Sequence, residues 1–487
     1  MTIPQSAPTE DKTRTGRALV ARLDRLDVWA LSYAFIGIIG AGFIFTFFDI
    51  FDINVSFVQT CVQIKPGCTP VNAFGALTLP VTLNLAGYVV GTLVLSPLSD
   101  RIGRRNMLLI TMVITGIGSL YNAFAPDMAN FDLARVITGI GIGADLAIVN
   151  TYIGEVAPRR GRGKFTAVIF TLSAVGAFLA IWLGLLLTTP ATPWPLGLPF
   201  AVAGPGFATG WRWMYVLGAL LALVGVLMRF QLPESPRWLI SRDRVAEATD
   251  VVLAMEARAA RRGPLADPLP IPAAVPADLA PAATGTPYRE FARNPMYLRR
   301  ALLLLAVWLI AYVTVYGFAS GFTTVLTSLK YPPPEAGIIV SVGTIGFIVQ
   351  GLVATWLIEK LERRYWLPIG AVVTLAGALL VALAGQHIYL AFLGAMVTFF
   401  GFNIWVSPTY TLSAESFPTR ARATGFGLVD GIGHLGGGVG VLVIAHFVTY
   451  MSALGALTLI ASFLVVAAIL VQFTTHTRGR PLDEVSP

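Results

Sequence analysis

Ser96-Pro-Leu-Ser-Asp-Arg-Ile-Gly-Arg-Arg105 is a short basic hairpin set between two apolar runs. Thr355-Trp-Leu-Ile-Glu-Lys-Leu-Glu-Arg-Arg364 repeats it in degraded form. In the second copy Glu359 and Lys360 stand where Asp100 and Arg101 stand in the first, again between apolar runs. Two such elements in register describe duplicated halves, each a set of membrane helices joined by a charged loop. Halves of this kind are expected to rock against each other about a shared centre.

Composition points the same way. Of 487 residues, 55% are hydrophobic and 12% charged, about half the charge of a soluble domain at roughly 25%. Twelve apolar stretches are long enough to cross about 30 Å of hydrocarbon, six on each side of the polar segment 233–299. The expected fold is all-α and integral to the membrane: twelve transmembrane helices in two pseudo-symmetric six-helix bundles. The expected divisions are an N-terminal region 1–28, a first bundle 29–232, a linker 233–299, a second bundle 300–474 and a tail 475–487. An amphipathic run at 18–27 is expected to lie on the membrane face before the first span. The linker divides into a helix-forming part, 237–263, and a Pro- and Ala-rich part, 264–286.

The net charge of +8 is no mark of nucleic-acid binding, because its distribution follows the spans. Arg101, Arg104 and Arg105 follow the second span and Lys360, Arg363 and Arg364 the eighth, while the alternate loops hold little positive charge. The positive-inside rule then places both termini and the linker in the cytoplasm of a cell-membrane protein. Cys61 and Cys68 both fall in the first outward loop. Two readings stand for them, a small disulfide in an oxidising exterior or two free thiols without a role.

An ionisable side chain inside a span marks a candidate functional site. In span 4, Asp145 lies midway between Arg135 and Glu155, about 15 Å from each at 1.5 Å per residue. It is a candidate proton carrier; a structural hydrogen bond is the plainer alternative. Asp49 and Asp52 in span 1 share a helical face and resist ionising together, so one is expected to hold a proton. Asp52 could instead sit at the solvated rim. Asp430 and His434 lie one turn apart in span 11, a carboxylate beside an imidazole, and form a candidate proton or anion site. Trp308, Tyr312 and Tyr316 form an aromatic stripe in span 7. With Gln350, Asn403 and Asn150 they are the candidate substrate contacts. Gly139 and Gly143 give span 4 a face for close helix approach. The glycines of span 11, from Gly425 to Gly440, suit either a gate or tight packing. His434 and His446 are too far apart along one helix for metal spacing, so no metal site is expected.

The chain resembles the major facilitator superfamily over essentially its whole length. The resemblance rests on SPLSDRIGRR at 96–105, with Ser96 where a Gly is usual, on RVITGIGIGADLAIVNTYIGEVAPRRGRG at 135–163, on PESPRWL at 233–239 and on PTYTLSAESFPTRARATGFG at 408–427. Together they point to its branch of sugar porters, metabolite:proton symporters and organic-ion transporters. The resemblance implies alternating access to a central site. It also implies a cytoplasmic gate of charged groups: Asp100, Arg101, Arg104, Arg105, Glu155, Glu234, Arg237, Glu415, Arg420 and Arg422. Tyr312 and Leu146 depart from the residues that phosphate porters carry there, which argues against phosphate.

The expected function is therefore secondary active transport, not enzymatic catalysis. The expected cargo is a small organic solute, aromatic or carboxylate-bearing, imported with protons; a sugar porter or an organic-ion antiporter is the alternative, and a membrane sensor a distant one. The proton gradient supplies the energy and no cofactor is expected. Lipid, solute and protons are the expected partners of a functional monomer.

Overall fold

The computed structural model describes residues 8–26, 29–157, 162–268, 293–385, 387–417, 422–448, 450–478 and 485. Twelve of its helices are long and apolar enough to cross a membrane. Spans 1 to 6 are Tyr33–Ile64, Ala73–Ser99, Arg104–Phe124, Met128–Val156, Lys164–Thr188 and Gly210–Arg229. Spans 7 to 12 are Pro295–Ala319, Pro333–Leu357, Arg363–Leu383, Ile388–Glu415, Thr424–Val448 and Ala453–Val471. Backbone polar groups in hydrocarbon have no water to pair with, so each apolar run closes its own helical ladder.

The duplication inferred from the hairpins is visible in the packing. In the first half, span 1 packs on 5 and 6, span 2 on 4, and span 3 on 4 and 6. In the second half, span 7 packs on 11 and 12, span 8 on 10, and span 9 on 10 and 12. Adding six to every number of the first set gives the second. The bundles meet through spans 2 and 11 and through spans 5 and 8, pairs that exchange under the same operation.

Small residues set the closest approaches. A Cβ on Gly139 would lie 1.9 Å from the Asn84 carbonyl oxygen, and one on Gly143 would lie 2.2 Å from that of Tyr88. Spans 2 and 4 therefore touch backbone to backbone, as dispersion-driven packing in lipid requires. Span 11 divides between its two readings. Gly433 and Gly437 make room for Trp308 and Tyr316 of span 7, which is packing. Gly427–Gly431 forms a π-helical turn, the kind of local distortion found at functional positions. A second π turn, Gly91–Leu95 in span 2, faces it, with Thr92 against Gly431.

Beyond the spans, residues 18–24 of the amphipathic run belong to a longer helix, Pro8–Asp24, which rests on protein; residue 27 lies outside the described residues. That helix packs on the linker helix Val245–Ala260, where Arg22 and Arg25 hold Glu256; Arg25 Nη2 lies 2.7 Å from Glu256 Oε1. Paired arginines on one carboxylate, with Leu19 and Leu23 buried beneath, explain why protein rather than lipid receives this face. Cys61 and Cys68 are joined by a disulfide at the end opposite the basic hairpins.

Candidate functional site

Among the described residues, Asp49, Asp52, Asp145 and Asp430 are carboxylates enclosed within the spans at 2% exposure or less, and Asp132, at 8%, is buried near the start of span 4. The partners of the first four differ, and the difference assigns them different chemistry.

Asp145 is a closed ion pair. Arg229, the last residue of span 6, forks onto it, with Nη2 at 2.9 Å from Oδ2 and Nη1 on Oδ1. Thr111 of span 3 donates to the same carboxylate at 2.9 Å and Thr46 of span 1 at 3.3 Å. Arg229 also donates to the Leu108 carbonyl at 2.9 Å. The candidate proton carrier read from the sequence is one half of an ion pair: four spans converge on it, because the run that ends at Arg229 turns its final charge inward.

Asp49 and Asp52 share one guanidinium. Arg135 Nη1 lies 3.3 Å from Asp49 Oδ1 and 3.5 Å from Asp52 Oδ1, and Ser119 donates to Asp49. Among the described residues no side chain donates a hydrogen bond to either Asp52 carboxylate oxygen. The rim alternative for Asp52 fails, since span 1 continues to Ile64 and Asp52 is 0% exposed. Two residues onward, Asn54 crosses to the second bundle. Its amide donates to the Phe318 and Ala319 carbonyls at 3.1 and 2.5 Å, and its oxygen accepts from Thr323 Oγ1 at 2.6 Å. Carbonyls at the end of span 7 need such donors, and Asn54 supplies them from the opposite half.

Asp430 sits where the bundles meet. Tyr312 of span 7 donates to its Oδ1 at 2.7 Å, and Tyr88 of span 2 donates to its Oδ2 at 3.1 Å. The Tyr410 hydroxyl is 3.1 Å from that of Tyr312. His434 Nδ1 lies 2.7 Å from the Asp430 main-chain oxygen and 3.6 Å from its Oδ1. Rings enclose the group. Tyr88 stacks on His434 at 3.8 Å, Trp308 on Tyr312 at 4.9 Å, and Trp308 on Tyr410 at 5.0 Å. Trp308 Nε1 donates to Ser413 at 2.9 Å, so the buried indole is satisfied.

Of the expected solute contacts, Trp308, Tyr312, Tyr316 and His434 are brought together around Asp430. Tyr316 lies 5.8 Å from both Tyr312 and His434, ring to ring. Gln350 and Asn403 are buried, and no contact to the rings around Asp430 is found for either among the described residues. Asn150 donates to the Leu146 carbonyl of its own helix at 2.9 Å, which explains a half-buried amide in span 4 without a solute. Tyr88, Asn54 and Arg229 lie in no motif, and Tyr410 and Ser413 lie within the run at 408–427 without standing out as site residues. A lone tyrosine or a span-terminal arginine has no periodic signal.

At the basic end each bundle carries the same latch. Arg104 pairs with Glu155 at 3.0 Å in the first, and Arg363 with Glu359 at 3.0 Å and Glu415 at 3.9 Å in the second. These pairs join helices of one bundle, so they brace each half. Glu234 accepts from the backbone N–H groups of Arg104 and Arg105 at 2.9 and 3.3 Å, capping span 3 at its positive end. Gly103, at φ +103°, allows that approach, because a Cβ there would lie 2.3 Å from Glu234 Oε2. Burial raises the Glu234 carboxyl above its ordinary value despite these donors. Arg105 donates to the Phe230 carbonyl at 2.6 Å. Arg237 pairs with Asp24 of the N-terminal helix, which ties it to that helix, and Arg101 is exposed. Arg420 and the side chains of Asp100 and Arg422 lie outside the described residues.

Known proteins share this plan. The chain is 25% identical to the niacin transporter NiaP of Acinetobacter baylyi over 473 residues, 96% of this chain and 99% of the relative. It is 27% identical to the glucose transporter GlcP of Staphylococcus epidermidis over 421 residues, 83% of this chain and 86% of the relative. Among solved structures, the proton:xylose symporter XylE bound to 6-bromo-6-deoxy-D-glucose superposes with a TM-score of 0.69 at 19% identity, covering 93% of this chain and 98% of that one. The sugar (and other) transporter family matches residues 33–487. With twelve spans in two matching bundles, the chain belongs to that family of transporters within the major facilitator superfamily.

Proposed function

We propose that the protein is a proton symporter that imports a small aromatic solute across the cell membrane by alternating access, with both termini in the cytoplasm. One observation carries the coupling: Asp49 and Asp52 face a single guanidinium, Arg135. Two carboxylates against one cation leave one negative charge enclosed by helices. An unpaired buried charge costs several kcal/mol, so the occluded state favours one proton shared by the pair.

The same helix supports a route from proton to movement. Arg135 of span 4 holds span 1 through these carboxylates, and Asn54 of span 1 holds the end of span 7. Protonation weakens the first attachment and biases span 1 between two arrangements, releasing or remaking the second. Solute recognition falls to the aromatic cluster. Trp308, Tyr312 and Tyr410 belong to one bundle and Tyr88 to the other, so a solute among these rings is felt by both halves. A carboxylate on that solute would have to meet His434 with Asp430 protonated. Asp145, already neutralised by Arg229, serves as a brace.

The test is uptake of labelled niacin, nicotinamide, glucose and xylose into proteoliposomes under an imposed pH gradient. Aromatic uptake driven by external acid and abolished in Asp49→Asn or Asp52→Asn is expected. Flux indifferent to the gradient would overturn the coupling. Uptake of the sugars alone would replace the aromatic reading with that of a sugar porter.

A further inference from the structure

The two halves part company at one connection. Spans 11 and 12 are joined by residues 449–452, whereas spans 5 and 6, their counterparts in the first half, are joined by residues 189–209. The fold does not need the extra length, because the second half closes the same turn without it. A connection longer than about 15 residues with no helix or strand of its own is uncommon, and is mostly functional or disordered. This one is ordered. Pro190, Pro193, Pro195, Pro199 and Pro205 restrict its backbone, each by fixing one dihedral angle.

Its hydrogen bonds belong to the first bundle. The Val202 N–H donates to the Leu186 carbonyl at 2.9 Å and that of Ala203 to Thr189 at 3.2 Å, which ties the returning segment to the end of span 5. Within the loop, Thr192 donates to Leu198 at 3.0 Å, and Gly204 and Phe207 exchange bonds at 3.2 and 3.0 Å. Its tip lies on the second bundle instead. The Trp194 ring is 5.6 Å from that of Phe392 in span 10. A Cβ on Gly197 would lie 3.1 Å from the Cβ of Pro334, in the first turn of span 8. Phe392 is 6% exposed and Trp194 51%, so the indole covers the phenyl ring and leaves its own far face free. These contacts are apolar, and they stand apart from Asn54, which ties the halves through spans 1 and 7.

We propose that residues 189–209 form a strap, carried as one piece by the first bundle, that holds the disulfide end shut by seating Trp194 on Phe392 and Gly197 on Pro334. Separation of spans 5 and 8 at that end lifts the strap whole, since its own hydrogen bonds stay within the first bundle. A half-exposed aromatic pair suits a contact remade in every cycle, because parting it leaves no buried polar group unmatched. The strap weights the empty carrier toward closure at this end. This rests on the alternating access proposed above and adds a lock to it.

Spin labels on Phe124→Cys at the end of span 3 and Leu383→Cys at the end of span 9, both exposed, test it. Double electron–electron resonance then reads the separation of the halves at the disulfide end, in the purified full-length protein without solute. Trp194→Ala should raise the longer-distance population about fivefold, the scale of one aromatic pair. Trp194→Phe should keep most of the native distribution. Trp194→Ala combined with Phe392→Ala should add nothing to the larger single effect, because both remove one contact. Thermal unfolding confirms that each variant folds. A native distribution in folded Trp194→Ala, beside an Asn54→Ala control that does open this end, would reduce the loop to packing and overturn the strap. Additive effects of the two substitutions would overturn the seat of Trp194 on Phe392. A distance left fixed by Asn54→Ala and Trp194→Ala alike would remove alternating access at this end, and the strap with it.

Discussion

Arg229 and Asp145, 84 residues apart along the chain, meet as a forked ion pair with side chains 0% and 1% exposed. Spans 1, 3, 4 and 6 all contribute to it, through Thr46, Thr111, Asp145 and Arg229. A Cβ on Gly42 of span 1 would strike the guanidinium at 2.3 Å, so the pair also fixes how near span 1 can lie. It is the rivet of the first bundle.

Removing one partner leaves the other buried and unmatched, at a cost of about 3–5 kcal/mol. Arg229→Ala and Asp145→Asn should each lower the melting temperature sharply. The double variant Arg229→Met with Asp145→Leu should recover much of that loss. Thermal unfolding of the three proteins checks this; a double variant as unstable as the worse single would show that the pair does more than cancel charge.

Asn54 ties span 1 to span 7 and to Thr323 by hydrogen bonds worth roughly 1 kcal/mol apiece. Asn54→Ala should favour separation of the bundles at the disulfide end. A cysteine placed at Phe318 should then react faster with an impermeant thiol reagent, by about tenfold. Unchanged labelling would mean that other contacts close this end.

Hydrogen bonds from Arg22, then Arg25, hold the Glu256 carboxyl below its ordinary value of 4.5. A carboxyl lowered on folding contributes stability above that ordinary value and loses it as pH falls through the lowered one. Docking of the helix Pro8–Asp24 should therefore be complete near neutrality and fail progressively once pH drops below about 4.5. Glu256→Gln should loosen the helix at neutral pH and flatten its acid response. Limited proteolysis of that helix from neutral pH down to about pH 2, with an acid-stable protease at the low end, reads both effects.

The disulfide Cys61–Cys68 closes a short loop after span 1. Restricting a loop of this size in the unfolded chain is worth about 2 kcal/mol. Reduction, or Cys68→Ser, should lower the melting temperature modestly without altering the buried acids. A pH dependence of uptake that changed on reduction would contradict that separation.

What could be read along the chain was whatever repeats or persists locally. The hairpins at 96–105 and 355–364 announced the duplication, and apolar runs announced the spans. Asp49, Asp52, Asp145 and Asp430 stood out as charges in hydrocarbon, and the stripe Trp308, Tyr312, Tyr316 follows helical periodicity. Asp145 illustrates the limit. The charge was visible, whereas its meaning depended on Arg229, which in sequence looks like an ordinary basic residue at the end of a span. Tyr88 and Tyr410, which complete the surroundings of Asp430, are single aromatics without spacing to betray them.

By itself the sequence determined a twelve-helix membrane protein in two halves with acids held inside it, because length, hydropathy and loop charge act locally against the bilayer. Only the tertiary structure decided which of those acids is neutralised, which shares a guanidinium and which stands among rings alone. Those answers depend on side chains far apart along the chain that are brought within a few ångströms by helix packing, and Coulombic and hydrogen-bond energies fall off with distance in space, not with separation in sequence.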